Sequence, residues 1–436
     1  MSGQIVRVPW GDGDLELALP DGWRVKGILS PAALAGVADP VAEVRRGLAA
    51  PIGAPRLRDL ARPGMRVALV VDDGSRPTPA AMIVPHVVDE LLAGGVVCNA
   101  ITLIPALGLH RPMTAAELAA RVGADVMSGL NWENPDCDDP GQLRALGTTT
   151  RGTPVYVHRT VADADLVVSV GCIEPHIIAS FGGGYKNLFP GVAGRATIAH
   201  NHSLNCTPAT FNMVGQPIER NPMRLDLEEA GRMLKPPVFI VNAVLNSRLE
   251  IVRVVAGDAI AAHREGARIS AQIYGVQVPG PADVVIANSR PMDQDLRQGV
   301  KALANTIRAV RPGGALVTLV RAEEGVGVFG LANRKLPLGQ AALRTLAPLL
   351  VKLVPRLKLR GMGEEDRFFL YFALQAMRHA TLLMYAPTIP AATRANLPFV
   401  TFVDTPQDAL ALAGRRVGPR ADVLIFPHGG STYPIL

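Results

Sequence analysis

Short β-branched apolar runs alternate with longer amphipathic stretches along most of the chain. Residues 65–71 (Met-Arg-Val-Ala-Leu-Val-Val) have the pattern of a buried strand that stops at the polar turn Asp72-Asp73-Gly74-Ser75. Residues 79–93 follow with helical spacing, 96–103 as a second strand and 114–122 as a second helix. Thr114 with Glu117 three residues on forms a capping-box pattern at that helix start. Residues 164–171 predict another strand, 238–245 and 250–255 a hairpin around Asn246-Ser247, and 258–273 a helix. Two prolines and a glycine (Pro279, Gly280, Pro281) then break the pattern, which restarts. It predicts a strand at 283–287, a helix at 293–309, a turn at Arg311-Pro312-Gly313-Gly314, a strand at 315–320, and strands at 399–403 and 423–426. The alternation predicts the α/β class: two α/β domains with mostly parallel sheets, 1–275 and 276–436. Open sheets of this kind bind ligands beyond the carboxyl ends of their strands and between domains. An interdomain active-site cleft is therefore expected.

Composition narrows the partners. Of 436 residues, 48% are hydrophobic and 19% charged, which excludes extended disorder. The net charge of +6 is spread along the chain apart from a local basic cluster at 352–360, with no aromatic residues interleaved. Such a charge suits small anions, and nucleic acid is not an expected partner. The four cysteines (Cys98, Cys137, Cys172, Cys206) form no CxxC pair, so a structural zinc site is not expected. Cys98 and Cys172 lie in strand-like runs and read as reduced core residues. The longest apolar stretch, near 341–354, is broken by Arg344 and Lys352, short of the roughly 18 uncharged residues a membrane helix needs. The first residues lack the charged-then-apolar order of a signal peptide. A soluble, cytoplasmic protein is the expectation.

Candidate chemistry concentrates after the apolar run 166–170. The stretch Glu174-Pro175-His176 leads to Gly182-Gly183-Gly184 and then Lys186, ten residues after the histidine. Three glycines in a row are entropically costly to order and suit close approach of backbone to a ligand. A lysine beside them reads as a phosphate ligand or, if desolvated, a nucleophile. The spacing is not that of a Walker loop, and no GxGxxG fingerprint follows the first strand. The turn Asp73-Gly74-Ser75-Arg76-Pro77-Thr78 joins a strand to a helix and offers backbone N–H groups, a hydroxyl and a guanidinium to an anion. An ordinary N-cap has the same residues. His110 and Arg111 also sit at a strand end, where a histidine is catalytic or merely capping. His200 and His202 are spaced to share a metal, though no further ligand is near in sequence. Gln298 and Lys301, three apart on an expected helix, share a face that is otherwise ordinary solvated surface.

Taken together these segments resemble one family, the nickel-pincer-dependent lactate racemases and related 2-hydroxyacid racemases and epimerases. The matching segments occur in the family's order: Asp73 to Thr78, Gly108-Leu109-His110-Arg111-Pro112, Glu174 through Lys186 to Pro190-Gly191, Thr197 to His202, Val255 to Asp258 with Ala262-His263, and Gln298 to Lys301. The chain departs from the family pattern at Leu109, Gly182, Arg297 and Asn131 to Asn134.

The resemblance implies an isomerase that inverts C2 of a 2-hydroxy acid by reversible hydride transfer through a 2-keto acid. Its cofactor would be a nickel-pincer nucleotide, a pyridinium thioamide/thiocarboxylate mononucleotide carrying nickel. By position Lys186 would tether it, His202 rather than His200 would ligate the nickel, and Asp73, Gly74, Ser75 and Arg76 would hold it. His110 and His176 would be the two acid/bases, and Gln298 and Lys301 would bind the substrate. Hydride chemistry avoids a carbanion beside a carboxylate but needs an electron sink, which such a cofactor supplies. The implied partners are a small-molecule 2-hydroxy acid and the cofactor's maturation enzymes; homo-oligomer formation is left open. The departures imply a substrate other than lactate. A nicotinamide-dependent 2-hydroxyacid oxidoreductase and an inactive carboxylate- or nucleotide-binding relative are the alternatives.

Overall fold

The apolar runs become the inner strands of two separate six-stranded sheets. The computed structural model describes residues 4–327, 329–355 and 362–436, so residues 356–360 of the basic cluster at 352–360 lie outside the described residues. The first sheet has the order Ile251–Asp258, Val238–Leu245, Leu166–Cys172, Val67–Asp72, Ile101–Ala106, Asn131–Trp132. Its neighbours are parallel except for the Val238–Leu245/Ile251–Asp258 hairpin. Val67–Asp72 and Leu166–Cys172 are buried along their whole length, as strands covered on both faces must be. Helix Ala80–Ala93 packs Ile83, Val84, Val87 and Leu91 into the core on this sheet. Helix Ala115–Val122 forms the expected capping box: Thr114 Oγ1 accepts from Glu117 N at 3.2 Å, and Glu117 Oε2 accepts from Thr114 N at 2.8 Å.

The second sheet is parallel throughout, in the order Thr401–Val403, Thr381–Tyr385, Val310–Leu319, Ala282–Asn288, Ala421–Phe426, Trp23–Ile28. Its last strand comes from the start of the chain. The hairpin Ile5–Trp10/Gly13–Ala18 places Val6, Val8 and Leu17 in the same core as Val284 and Ile286.

The chain divides into two compact units, residues 33–204 with 216–273, and residues 1–32 with 205–215 and 274–436. The division differs from 1–275/276–436 in where residues 1–32 and 205–215 fall. The cause is tertiary: Trp23–Ile28 takes its partner from Ala421–Phe426, almost the whole chain away.

Three local expectations change. The strand expected from residue 96 begins at Ile101, after a 3₁₀ turn at Cys98–Ala100, leaving Cys98 partly exposed while Cys172 is buried. The helix expected at 293–309 is broken into Leu296–Gly299, Lys301–Thr306 and a 3₁₀ turn at Ile307–Ala309. The turn expected at Arg311 to Gly314 is absorbed into the strand Val310–Leu319, which pairs with Ala282–Asn288 through a register shift. Among the described residues, no helix is long and apolar enough to cross a membrane.

Candidate active site

The buried strand Val67–Asp72 delivers Asp72 and Asp73 to its carboxyl end. Asp72 is an anchor: Arg121 and Thr78 both donate to its carboxylate, and Arg121 also reaches the carbonyls of Asp72 at 3.0 Å and Arg76 at 3.1 Å. The turn 73–78 is thereby pinned by a helix that is distant in sequence. Asp73 Oδ1 accepts from Ser75 N at 3.1 Å and Ser75 Oγ at 2.5 Å, while Oδ2 lies 2.5 Å from His110 Nδ1. Burial alone would raise the Asp73 pKa, but the hydrogen bonds from His110 and Ser75 hold it at about 2.

His110 is carried by the loop after Ile101–Ala106. That loop is tied to the chain beyond Lys186, because Gly108 N donates to Gly191 O at 2.8 Å. Arg76 reaches the next strand end: its Nη1 lies 2.5 Å from Glu174 Oε1. Two residues on, His176 starts a tight hairpin in which Pro175–His176 pairs with Ser180–Phe181.

The glycines are needed for a reason different from the one their sequence suggests. Gly183 and Gly184 have φ of 71° and 63°, a region that disfavours side chains. A Cβ on Gly183 would meet Ile173 Cγ1 at 2.7 Å and Asn242 Oδ1 at 2.8 Å, and one on Gly184 would meet His263 Cδ2 at 2.9 Å. What crowds them is the protein itself. Asn242 Oδ1 accepts from Gly184 N at 2.8 Å, and His263 Nε2 meets Gly182 O at 2.9 Å.

Arg224, fully buried, completes this support. Its guanidinium donates to the carbonyls of Ala179 (3.3 Å), Gly183 (3.2 Å) and Phe181. Neighbouring Asn221 donates to Ile178 O at 2.7 Å and to Ser180 Oγ at 3.0 Å. The sequence reading missed Arg224, Asn221, Asn242 and Arg121. Arg121 and Arg224 lie in ordinary helices and Asn242 in an ordinary strand, with no local signal to mark them, while Asn221 is the N-cap of helix Pro222–Arg232, where Asn before Pro is itself a helix-start signal.

Lys186 follows in the 3₁₀ turn Gly184–Asn187 and keeps some accessible surface. Burial of its amine, then the nearby charges of Arg76 and Arg224, lower its pKa to about 7 against the opposing pull of Glu174 and Asp73. Near neutral pH a large share of it is therefore unprotonated and nucleophilic. Hydrogen bonds and charge thus gather Asp73, Ser75, Arg76, His110, Glu174 and Lys186 into one group, with His176 on the strand beside Glu174.

His202 sits on helix Arg195–Ser203 with Nδ1 2.7 Å from Ile198 O, which fixes Nδ1 as the donor and puts the lone pair on Nε2. His200 is tied elsewhere: Nδ1 meets Thr153 Oγ1 at 2.8 Å, and Thr153 also donates to buried Asp226 at 2.7 Å. Gln298 and Lys301 belong to the other unit. The helix break at Val300 puts them on two successive short helices; Asp295 Oδ1 caps the first by accepting from Gln298 N at 2.7 Å, and Lys301 Nζ lies 3.7 Å from Met292 Sδ. Arg297 stacks over the Phe369 ring, 4.5 Å from its centroid.

The Asp73–His110 pair makes acid stability a measurable property of this site. A carboxyl whose folded pKa is depressed contributes stability that is present above its unfolded value near 4 and is lost as pH falls toward 2. The stability gap between the native protein and Asp73→Asn is expected to narrow by about 2 kcal/mol between neutral pH and that acid limit. Urea unfolding at both pH values checks this, and a constant gap refutes it.

The model of the lactate racemase N-terminal domain matches residues 10–212. The lactate racemase of Thermoanaerobacterium thermosaccharolyticum is 31% identical over 329 residues, 74% of this chain and 76% of that protein. The Lactiplantibacillus plantarum lactate racemase is 30% identical over 289 residues, 66% of this chain and 67% of that one. In structure, the lactate racemase apoprotein from T. thermosaccharolyticum superposes with a TM-score of 0.83 at 25% identity, over 99% of this chain and all of that one. A Thermotoga maritima protein shares the fold, with a TM-score of 0.65 at 15% identity over 91% of this chain and 98% of that one. These matches define an isomerase of the racemase type. The chain belongs to the lactate racemase family.

Proposed function

We propose that this racemase inverts C2 of a 2-hydroxy acid other than lactate with the help of a nickel-pincer nucleotide tethered to Lys186. The observation that carries the reading is the Lys186 amine, held at about 7 by burial and by Arg76 and Arg224, in a group that also contains the hydrogen-bonded Asp73–His110 pair. The residues fit such a group chemically: an unprotonated amine forms a covalent link, and a histidine with its lone pair on Nε2 is a metal donor. Lys186 would carry the tether, His202 the nickel, and Gly74, Ser75 and Arg76 the anionic part. When bound, the nucleotide supplies a reversible hydride acceptor. The chain's own work is acid–base and electrostatic. His110, oriented by Asp73, and His176 serve the substrate's C2 oxygen, while Gln298 and Lys301 donate to its carboxylate or keto oxygen.

The test is expression with the cofactor's maturation enzymes, followed by intact-mass and nickel analysis and by inversion assays on lactate, malate, 2-hydroxyglutarate and sugar acids. An adduct on Lys186, about one nickel per chain and redox-neutral inversion are expected. A strong preference for lactate removes the substrate proposal. Net keto acid formation coupled to NADH would replace the racemase reading with the oxidoreductase one.

A further inference from the structure

Each of the three glycines before Lys186 is held by a different buried side chain. Arg224 Nη1 donates to Gly183 O at 3.2 Å, and Asn242 Oδ1 accepts from Gly184 N at 2.8 Å. At Gly182 the partner is His263, fully buried in the first turn of helix Ala261–Tyr274. Its Nε2 lies 2.9 Å from Gly182 O. A carbonyl only accepts, so Nε2 carries the hydrogen. Nδ1 lies 3.4 Å from Arg264 Nη1, and a guanidinium only donates, so Nδ1 carries the lone pair. Both contacts select the same neutral tautomer. Burial first, and then the charge of Arg224, hold the ring's pKa well below its ordinary value, so it stays neutral at working pH.

The imidazole is itself braced. Arg264 forms a two-point pair with Glu228, Nη1 to Oε1 at 2.7 Å and Nη2 to Oε2 at 2.9 Å. Glu228 is buried on helix Pro222–Arg232, which also carries Arg224. A line of bonds therefore runs from the Glu228 carboxylate through Arg264 and His263 to the Gly182 carbonyl. Gly182 N in turn donates to Glu174 O at 2.8 Å, and Glu174 is the partner of Arg76. The edge of the His263 ring makes a second contact: a Cβ on Gly184 would meet Cδ2 at 2.9 Å and Cγ at 3.0 Å. One imidazole thus fixes Gly182 by hydrogen bond and Gly184 by contact. The turn Gly184–Asn187, which carries Lys186, begins at that contact.

We propose that His263 is a positioning residue for Lys186: its neutral Nε2–H fixes the Gly182 carbonyl, its ring edge fixes the path at Gly184, and together they keep the lysine amine in its buried place. The inference rests on the reading of Lys186 as the nucleophilic tether and adds a residue that acts only through the backbone. The ring works as a neutral group, because a second N–H on Nδ1 would face the Arg264 guanidinium. A phenyl ring fills the same space but offers Gly182 nothing. A glutamine offers an N–H to the carbonyl and an oxygen to Arg264. Donor and bulk are therefore separable by substitution.

Amine-reactive labelling of Lys186 on the unloaded full chain, read as a function of pH beside urea unfolding, tests this in wild type, His263→Phe and His263→Gln. The wild-type midpoint is expected near pH 7. In His263→Phe it is expected to rise by about 1–2 pH units as the loop shifts and the amine regains water. In His263→Gln it is expected to return to within about half a unit of wild type. A residue that serves stability alone would lower the urea midpoint in both variants and leave the labelling midpoint in place. That result overturns the proposal, as does an equal rise in both variants. A wild-type midpoint near 10.5 overturns the reading of Lys186 and this inference with it, whereas a wild-type midpoint near 7 that His263→Phe leaves unchanged overturns this inference alone. Where His263→Phe does not fold, the wild-type ring decides. ¹⁵N-histidine spectra, with the ring assigned by the contact of its Cδ2–H with Gly184, are expected to show Nε2 protonated and Nδ1 bare between about pH 5 and about pH 9. A protonated Nδ1 overturns the proposal.

Discussion

On the proposed reading, Lys186→Ala is expected to give a folded protein with no nucleotide adduct, no retained nickel and turnover at background, a loss of more than about 10⁴-fold, because the tethered cofactor would supply the hydride chemistry. The amine it removes is nucleophilic because burial strips its water and because Arg76 and Arg224 disfavour a further positive charge. In the unfolded chain the same amine titrates near 10.5. Native protein therefore gains stability as pH rises from about 7 toward that value, and below about 7 the charged amine works against folding. The alanine variant is accordingly expected to melt no lower than wild type at neutral pH. Intact mass, nickel content and a melting curve on one preparation check all of this. A parallel measurement isolates the amine itself: an amine-reactive probe should label Lys186 of unloaded protein with a midpoint near pH 7. Labelling that begins only above about pH 10, or a variant that still retains the adduct, refutes the assignment.

Arg224→Ala is expected to be the most destabilising substitution in this unit outside the hydrophobic core. It would remove a charged donor from the buried carbonyls of Ala179, Phe181 and Gly183, of which Ala179 O and Gly183 O keep the backbone donors Phe181 N (2.7 Å) and Lys186 N (3.2 Å), and would open a cavity where a fully buried side chain stood. The lost charged hydrogen bonds and the cavity together are expected to cost about 3–5 kcal/mol after relaxation. Urea unfolding measures it. Arg224→Lys keeps the charge but not the planar fork and should recover only part of the loss. A change below about 1 kcal/mol in the alanine variant would show that the loop carrying His176 and Lys186 does not depend on this guanidinium.

The legible parts of the chain were those with strong local rules. The runs expected at 65–71 and 164–171 are apolar from Val67 and from Leu166 onward except for Ser169, as suits a strand covered on both faces, and both are inner strands. Thr114 and Glu117 announce a helix start that forms as expected. The hairpin at 238–255 is likewise local. Expectations weakened where several short-range preferences compete. Residues 293–309 read as one helix but bend into three pieces around Gly299 and Val300.

For the site, residue types and order along the chain pointed to Asp73, Arg76, His110, His176 and Lys186 as candidate chemistry. They did not reveal that Asp73 orients His110, that Arg76 pairs with Glu174, or that Arg224 holds the glycine loop. Those bonds join residues 37, 98 and 41 positions apart.

The α/β class, the strand ends that carry the candidate chemistry and the family were thus written in periodicity and short motifs, because alternation and spacing act over a few neighbouring residues. The placement of Trp23–Ile28 at the far edge of the second sheet, the burial and charge that lower the Lys186 pKa and the Asp73–His110 contact were settled by folding alone. Desolvation, charge and hydrogen-bond direction depend on which groups meet in space, and no local pattern encodes that.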